Sequence, residues 1–226
     1  MVQHARADDP ARARAALAEL CRSYWPPLYA FVRRGGASTD DAAELVQDFF
    51  AALLDGDPIA GFDPQRGRFR SWLLGALRHH ELKRLDRARA GKRGAGILVV
   101  DFDARVAEHA VASLGETDLS PEQAYERAWA IGLLQRTQTR LRQEYEARGA
   151  AAEFDALAPV LSRDDALPYA RIAEQLGKKA GAVKVAAHRL RKRYGDLLRA
   201  EVAETVADPS EVDAELRTLI EAVRRR

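Results

Sequence analysis

The sequence predicts an all-α protein made of two small helical domains joined by a linker. Apolar residues recur at helical spacing along most of the 226 residues, and β-branched runs are scarce, with "GILVVDF" at 96–102 as the one plausible strand. The length suits one large or two small domains. Composition divides the chain into a first domain at 10–92, a linker at 93–120, a second domain at 121–200 and an acidic C-terminal helical extension at 201–226.

The first helix is predicted to begin after Asp9, an N-cap residue followed by Pro10, which suits the first helical position. We expect it to run toward Tyr24 and to be interrupted by "WPP" at 25–27, because prolines lack the N–H group that a helix interior needs. A second segment, "LYAFVRR", then continues to the glycine pair at 35–36.

Two further helices complete the first domain. Ser38 or Thr39 caps the earlier one, whose first turn carries acids that favour the positive end of the helix dipole. A loop at 55–68, rich in Gly, Pro and Asp, separates it from a long helix that starts at Phe69 and ends near Gly91. The residues expected to face the core are Ala42, Leu45, Phe49 and Leu53 in the earlier helix and Phe69, Leu73, Ala76 and Leu77 in the later one.

The second domain begins with a capping box at 120–123, "SPEQ", and a helix that Gly149 stops. A short helix, "AAEFDALAPVL", follows. Two amphipathic segments then meet at Gly177, which can take the left-handed conformation that ends a helix. Ser210 is expected to cap the helix of the extension. The apolar stripes of the two amphipathic segments are Tyr169, Ile172, Ala173 and Leu176, then Val183, Ala187, Leu190 and Tyr194.

The net charge of +2 hides a strong segregation of charge. Residues 38–57 hold six acids and no Lys or Arg, whereas residues 63–93 hold ten Lys or Arg against three acids. Residues 168–199 are again basic, nine against two, and residues 200–221 are acidic, seven against one. Two basic blocks suggest two contacts with a polyanion, and the acidic blocks suggest a different partner or a shield for the basic ones.

The segment after Gly177 carries cations opposite its apolar stripe. A helix in the DNA major groove needs cations for phosphates and long donors for base edges, although a solvated helix of an ordinary bundle can carry the same charges. The glycine-centred turn between two short helices favours a DNA-binding helix-turn-helix. The candidate residues are Lys179, Lys184, Val185, His188, Arg189, Arg191 and Lys192.

Other classes of protein are disfavoured by the composition. No apolar run approaches the ~18 residues of a membrane span, and the polar N-terminus has no signal-peptide core. Cys21 is the only cysteine, which rules out an internal disulfide and fits a cytoplasmic protein. His79 and His80 diverge by ~100° on a helix, and metal, nucleotide and catalytic motifs are missing. We therefore expect no metal, no cofactor, no membrane insertion and no enzymatic activity.

Three stretches together resemble a known family. "ARIAEQLGKKAGAVKVAAHRLRKRY" at 170–194 resembles region 4 of bacterial sigma factors through its Ile-Ala, Leu-Gly, Val-Lys and His-Arg pairs. "YWPPLYAFVRRGGASTDDAAELVQDFFAALL" resembles regions 2.1 and 2.2, and "FDPQRGRFRSWLLGALRHHELKRLDRARA", with its Phe-Arg-x-Trp-Leu, resembles regions 2.3 and 2.4. The resemblance covers about 17–91 and 122–195, and the short connection leaves no room for the additional domain of larger sigma factors. The chain is therefore similar to group 4, extracytoplasmic-function (ECF) sigma factors.

The resemblance implies a non-enzymatic transcription initiation factor whose partners are core RNA polymerase and promoter DNA. The helix after Ser38 would dock on the clamp helices of the β′ subunit, and the loop at 57–68 would capture a base flipped from the −10 element. Residues Lys184, Val185, His188 and Arg189 would read the −35 element. The polymerase-binding residues implied are Asp41, Glu44, Gln47 and Asp48. The −10 residues implied are Arg68, Arg70, Trp72, Arg78, His79, Lys83, Arg84 and Arg87, of which Trp72 suits a core position equally well.

The sequence departs from the family pattern at several points. Lys178 and Lys179 stand where an apolar residue and a Ser or Thr cap are usual. The missing cap lowers the stability of the helix by ~1 kcal/mol, and a bound phosphate would relieve this loss. Ala43 stands where an acid is frequent. The acidic extension is also additional, and we expect it to fold back on a basic block as a brake.

Two alternatives stay open: a helix-turn-helix regulator that binds duplex without polymerase, and a degenerate sigma-like module that only sequesters a partner. An anti-sigma factor or a Ser/Thr kinase is a candidate regulatory partner. For a kinase the candidate site is Thr39, beside two acids at a helix start.

Overall fold

The structure is a computed structural model whose described residues are 10–55, 61–63, 65, 67–89, 108, 111–112, 114–115, 118–161, 169–206 and 208–224. These residues form helices and no strand, so the all-α prediction is confirmed, while the possible strand at 96–102 lies outside the described residues. The α-helices are α1 (Pro10–Arg34), α2 (Thr39–Asp55), α3 (Phe69–Arg89), α4 (Pro121–Ala147), α5 (Ala151–Leu157), α6 (Tyr169–Leu176), α7 (Ala180–Ala203) and α8 (Val212–Arg224), and the 3₁₀ helices are Ala158–Leu161 and Pro209–Glu211.

Helix α1 is continuous through Pro26 and Pro27, so the predicted interruption at 25–27 is wrong. Proline fixes φ near the helical value, but it removes the hydrogen bond of its own nitrogen and its ring crowds the carbonyl four residues earlier. The neighbouring side chains of Trp25, Leu28 and Tyr29 are almost completely buried. Packing of these large side chains therefore outweighs the two missing hydrogen bonds, as tertiary context commonly does against local propensity.

The chain divides into two compact units. The first unit comprises Met1–Gly132 together with Val202–Arg226, and the second comprises Leu133–Glu201. The predicted first domain at 10–92 thus corresponds to a part of the first unit, which also contains the beginning of α4 and the C-terminal helix α8. None of the described helices is both long and apolar enough to cross a lipid bilayer.

The core of the first unit includes the predicted apolar stripes of α2 and α3. Leu53 and Ala76 are half-buried, and the other six residues of the two stripes are buried. The ring of Tyr24 on α1 meets the ring of Phe69 edge-on, with 5.4 Å between centroids. Leu114 and Leu119, from the predicted linker, are buried against α1 and α4, so part of that segment belongs to the packed core.

The second unit has its own core, formed by α4 to α7. The predicted stripe of α7 is buried at Val183, Ala187 and Leu190, and that of α6 is buried at Ile172 and Ala173. Partly buried residues that complete the two stripes are Tyr169, Leu176 and Tyr194. Both apolar stripes are therefore confirmed, because helical periodicity depends on near neighbours in the chain.

The described helix ends follow the predicted capping chemistry with one exception, and the predicted cap at Asp9 lies outside the described residues. The amide of Asp41 donates to Ser38 Oγ at 3.1 Å, and Ser120 and Gln123 bond reciprocally as a capping box. In the extension, Asp208 rather than Ser210 is the cap, because its side chain accepts from the amide of Ser210 before the 3₁₀ helix that leads into α8.

Candidate nucleic-acid interface and docking face

The turn between α6 and α7 is closed by backbone hydrogen bonds around Gly177, whose φ is 62°. The amide of Lys178 donates to the carbonyl of Ala173 at 2.8 Å, and the amide of Gly177 donates to the carbonyl of Glu174 at 3.1 Å. This pattern is a Schellman motif, which requires a left-handed residue and therefore favours glycine. The turn fixes the start of α7 directly after Lys179.

The outer face of α7 is open. Among the described residues, Lys184, His188 and Arg189 make no ion pair, and the ammonium of Lys184 lies 5.9 Å from the centre of the Tyr169 ring. Half of the Val185 surface is exposed. A face of this kind presents charge and one apolar side chain directly to a ligand. All seven predicted residues are exposed: Lys179, Lys184, Val185, His188, Arg189, Arg191 and Lys192.

Three contacts within the second unit hold the flank of α7. Arg193 forms a two-pronged ion pair with Glu144, with distances of 2.8 and 2.6 Å, and this pairing lowers the pKa of Glu144. Arg191 Nε donates to the carbonyl of Val160 at 3.2 Å. The acids of this unit thus engage the flank and leave the centre of the basic face open.

In the first unit, the cations of α3 are largely engaged by acids. Arg78 pairs with Glu122 of α4. Arg84 lies 3.2 Å from Glu44 and 3.6 Å from Asp48, both on α2. His79 and Lys83 are exposed, and the side chain of Arg87 lies outside the described part of the chain.

Arg70, one of the −10 residues that the resemblance implies, is buried and does not face solvent; only 3% of its surface is exposed. Its guanidinium lies over the indole of Trp129 at 4.3 Å, 3.2 Å from Glu126, and forms an ion pair with Glu215 of α8. Helices α4 and α8 both supply carboxylates to this arginine. Sequence reasoning on α3 alone could not include these neighbours.

Arg68, at the entrance to α3, shares the same carboxylate. Its Nη1 lies 2.9 Å from Oε2 of Glu215, which is completely buried, while about a third of the Arg68 side chain stays exposed. Arg68 also lines a cavity of about 390 Å³. The other described residues that line this cavity are Gly61, Phe62, Asp63, Gly67, Ser71 and Trp72.

Trp72 occupies an intermediate position between core and surface. Its ring centre lies 5.7 Å from that of Phe62 and 5.4 Å from that of Phe69, and the residue is half-buried. One part of the indole therefore packs on the core rings while another part lines the cavity. Such a wall can stack against a planar ligand.

The predicted docking face of α2 is exposed. Asp41, Glu44, Gln47 and Asp48 all lie on the solvent side, as the helical spacing predicts. Glu44 and Asp48 are partly neutralised by Arg84. A basic partner would have to displace or share this arginine.

Two carboxylates that structure the first unit were missed by sequence reasoning. Glu108, in the predicted linker, accepts from Tyr29 Oη and from Arg33 Nε at 2.7 Å. These bonds lower the pKa of Glu108, while burial and the bond to Glu108 raise the pKa of Tyr29 to about 12. The second missed carboxylate is that of Glu215. The sequence could have indicated its burial, because Val212, Glu215 and Leu219 recur at the spacing of an apolar stripe.

Comparison with known families identifies the first unit more closely. Residues 20–91, about a third of the chain, match the family described as sigma-70 region 2. No curated protein and no solved structure matches the chain significantly. The resemblance of 122–195 to region 4 stays a prediction. The match at 20–91 supports a sigma-70 family factor that acts with RNA polymerase in promoter recognition.

Proposed function

We propose that this chain is a group 4, extracytoplasmic-function sigma factor that directs core RNA polymerase to promoters and assists strand opening. The observation that carries the proposal is the match of residues 20–91 to sigma-70 region 2. A sigma factor positions the polymerase and the template, and the polymerase catalyses RNA synthesis. The work of this chain is therefore binding and positioning.

The second unit would read duplex DNA at the −35 element with α7. Its outer face carries exposed cations for phosphates, and Lys184, His188 and Arg189 are long enough to donate to base edges in the major groove. Val185, half exposed at the centre, can contact a thymine methyl group. The tight turn around Gly177 between the short α6 and the basic α7 supports this assignment.

The first unit would hold the separated strand at the −10 element. A base turned out of the helix needs a concave pocket with an aromatic or apolar wall, and unstacking costs least where the strand is already open. The cavity beside Trp72 and Arg68 offers that wall and a cation at its edge. Lys83 and His79, exposed further along α3, are placed to contact the strand that follows.

The exposed acids of α2 would bind the clamp helices of the polymerase β′ subunit. A negative face that meets a basic partner gains association rate and orientation from charge complementarity. Its partial neutralisation by Arg84 suggests that this arginine moves when polymerase binds. The chain would act in the cytoplasm, where polymerase and DNA are found.

The proposal is tested by transcription with purified core enzyme on fragmented genomic DNA, followed by sequencing of the transcripts. We expect defined start sites that share two upstream elements. Duplex binding that is equally tight with and without polymerase would favour the regulator alternative. Polymerase binding with no transcript from any fragment would favour the sequestering module.

Charge reversal on α7 sharpens the same experiment. We expect Lys184→Glu combined with Arg189→Glu to lower promoter output about 100-fold, because each contact to a base or phosphate contributes ~1–3 kcal/mol. Binding to core polymerase should be unchanged. Arg148→Glu, at an exposed cation of the same unit that lies outside α7, is the matched control. Loss of polymerase binding in the α7 variant would mean that the helix serves the fold.

A further inference from the structure

We propose that α8 is a lid on the nucleic-acid surface of the first unit, with Glu215 occupying the place of a strand phosphate at Arg68 and held there by the buried Arg70 as well. The inference rests on the proposed function, since it takes Arg68 as part of the −10 surface. By this inference, the acidic extension and nucleic acid compete for the same cationic side chain. The carboxylate and its ion pairs to both arginines are the observations that carry it.

The packing of α8 places the Glu215 carboxylate against the two arginines. Val212, Leu219 and Ala222 are buried on the inner face of α8, and Glu215 is completely buried among them. An acid on an otherwise apolar stripe is unfavourable unless cations meet it, because a buried unpaired charge is strongly destabilising. Arg68 and Arg70 therefore explain why an acid is tolerated at this position.

A carboxylate and a phosphate are interchangeable ligands for a guanidinium. Both offer oxygen acceptors that match the planar fork of arginine donors. Among the described residues, Glu215 is the only ion-pair partner of Arg68, which also lines the cavity beside Trp72. Nucleic acid that enters this cavity must compete with α8 for that arginine.

The two arginines would respond differently when α8 is displaced. Arg70 keeps Glu126 and the face of Trp129, so it stays anchored in the core. Arg68, already about a third exposed, would become free to bind phosphate. Displacement thus exposes one cation without unfolding the site.

The outer face of α8 reinforces the competition. Glu211, just before the helix, and Asp213, near its start, are exposed. In the docked position they add negative charge to the first unit, and negative charge disfavours the approach of a phosphate backbone. A helix of 13 residues is marginal by itself in water, so α8 depends on docking for its order. Loss of docking would free Arg68 and would also move these acids away from the first unit.

The test compares full-length variants for binding to a fluorescein-labelled single-stranded oligothymidylate, whose bases stack without sequence preference. Glu215→Gln removes the docking charge, and Leu219→Ala loosens the docking face without changing the charge. Glu221→Gln removes one exposed acid from the same helix and is the matched control. Tryptophan fluorescence checks that the first unit stays folded.

We expect Glu215→Gln and Leu219→Ala to bind the oligonucleotide about tenfold more tightly than the unaltered chain, within the usual range of coupling between sites. Glu221→Gln should change affinity less than about twofold, as one screened surface charge does. In the unaltered chain, the oligonucleotide should speed amide hydrogen exchange in α8.

Equal affinities for Glu215→Gln, Leu219→Ala and Glu221→Gln would overturn the lid and leave the proposed function standing. Binding that leaves exchange in α8 unchanged would do the same. Failure of every folded variant to bind the oligonucleotide would instead remove the strand-binding role of the first unit, and the lid with it.

Discussion

The two basic blocks of the sequence have similar composition but different states in the folded protein. In α3, Arg70, Arg78 and Arg84 each pair with an acid from another helix. In α7, Lys184 and Arg189 are exposed and, within the described residues, unpaired with acids. Charge density in a sequence therefore does not tell whether the charge is available, because acids on distant segments decide that.

The difference has a physical origin in where the acids lie. The acids that meet α3 come from helices packed beside it, such as Glu126 of α4 and Glu215 of α8. In the second unit, Glu144 and Glu153 bind Arg193 and Lys178, which lie beside the open face. The basic face is thus open in the second unit and largely paired with acids in the first.

The largest expected effect concerns stability. Arg70→Met should destabilise the first unit by about 3–5 kcal/mol, because it removes the buried one of the two cations that pair with the buried Glu215. Arg189→Met, at an exposed position of α7, should change the stability of the second unit by about 0.5 kcal/mol or less. Urea unfolding measures both, with far-ultraviolet circular dichroism for the whole chain. Tryptophan fluorescence reports the first unit alone, since Trp25, Trp72 and Trp129 all belong to it.

A second variant separates charge from packing. Arg70→Met combined with Glu215→Leu should recover much of the lost stability, since an ion pair replaced by apolar groups of similar volume is often neutral. If the double variant is as unstable as Arg70→Met alone, then the contact of Arg70 with Trp129, rather than its charge, holds the first unit together.

Sequence reasoning succeeded where structure depends on near neighbours. The buried stripe of Val183, Ala187 and Leu190, the capping box at Ser120 and the turn at Gly177 each follow from residues within one or two helical turns. The exposed acids of α2 follow from the same spacing. Helical periodicity fixes which face points inward whatever lies opposite.

Sequence reasoning failed where segments that are distant in the chain meet in the fold. The burial of Arg70 depends on Glu126, Trp129 and Glu215, which lie far along the chain. Helix α1 continues through Pro26 and Pro27 because its neighbours are packed on it. The functional roles of the candidate residues stay predictions, since geometry gives exposure and pairing but not the ligand.

Paired charge in the first unit also predicts a pH dependence. The lowered pKa of Glu108 means that its bonds to Tyr29 and Arg33 stabilise the fold above the ordinary carboxyl pKa and are lost as the pH falls through the folded value. The pKa of Tyr29, raised to about 12, adds stability that is present below its ordinary value near 10 and is lost as the pH rises through 12.

Glu108→Gln should therefore destabilise the first unit by about 1 kcal/mol or less at neutral pH, because the carboxylate is partly solvated. The difference from the unaltered chain should shrink as the pH falls through the folded pKa of Glu108. Urea unfolding followed by tryptophan fluorescence at several pH values measures it. A difference that is constant down to strongly acidic pH would show that Glu108 acts through packing alone.

The smallest expected effect lies at the start of α7. Lys179 is the residue before the helix, and lysine cannot accept a hydrogen bond from the first-turn amides and opposes the helix dipole. Lys179→Ser should stabilise the second unit by about 0.5 kcal/mol, seen as slower hydrogen exchange of the first-turn amides of α7. The same change should weaken duplex binding. It should also lower by about one the number of counterions released on binding, which is read from the slope of log affinity against log salt concentration. Lys179→Gln removes the charge without a good cap; if it slows exchange as much as serine does, the gain comes from the dipole and not from the capping bond.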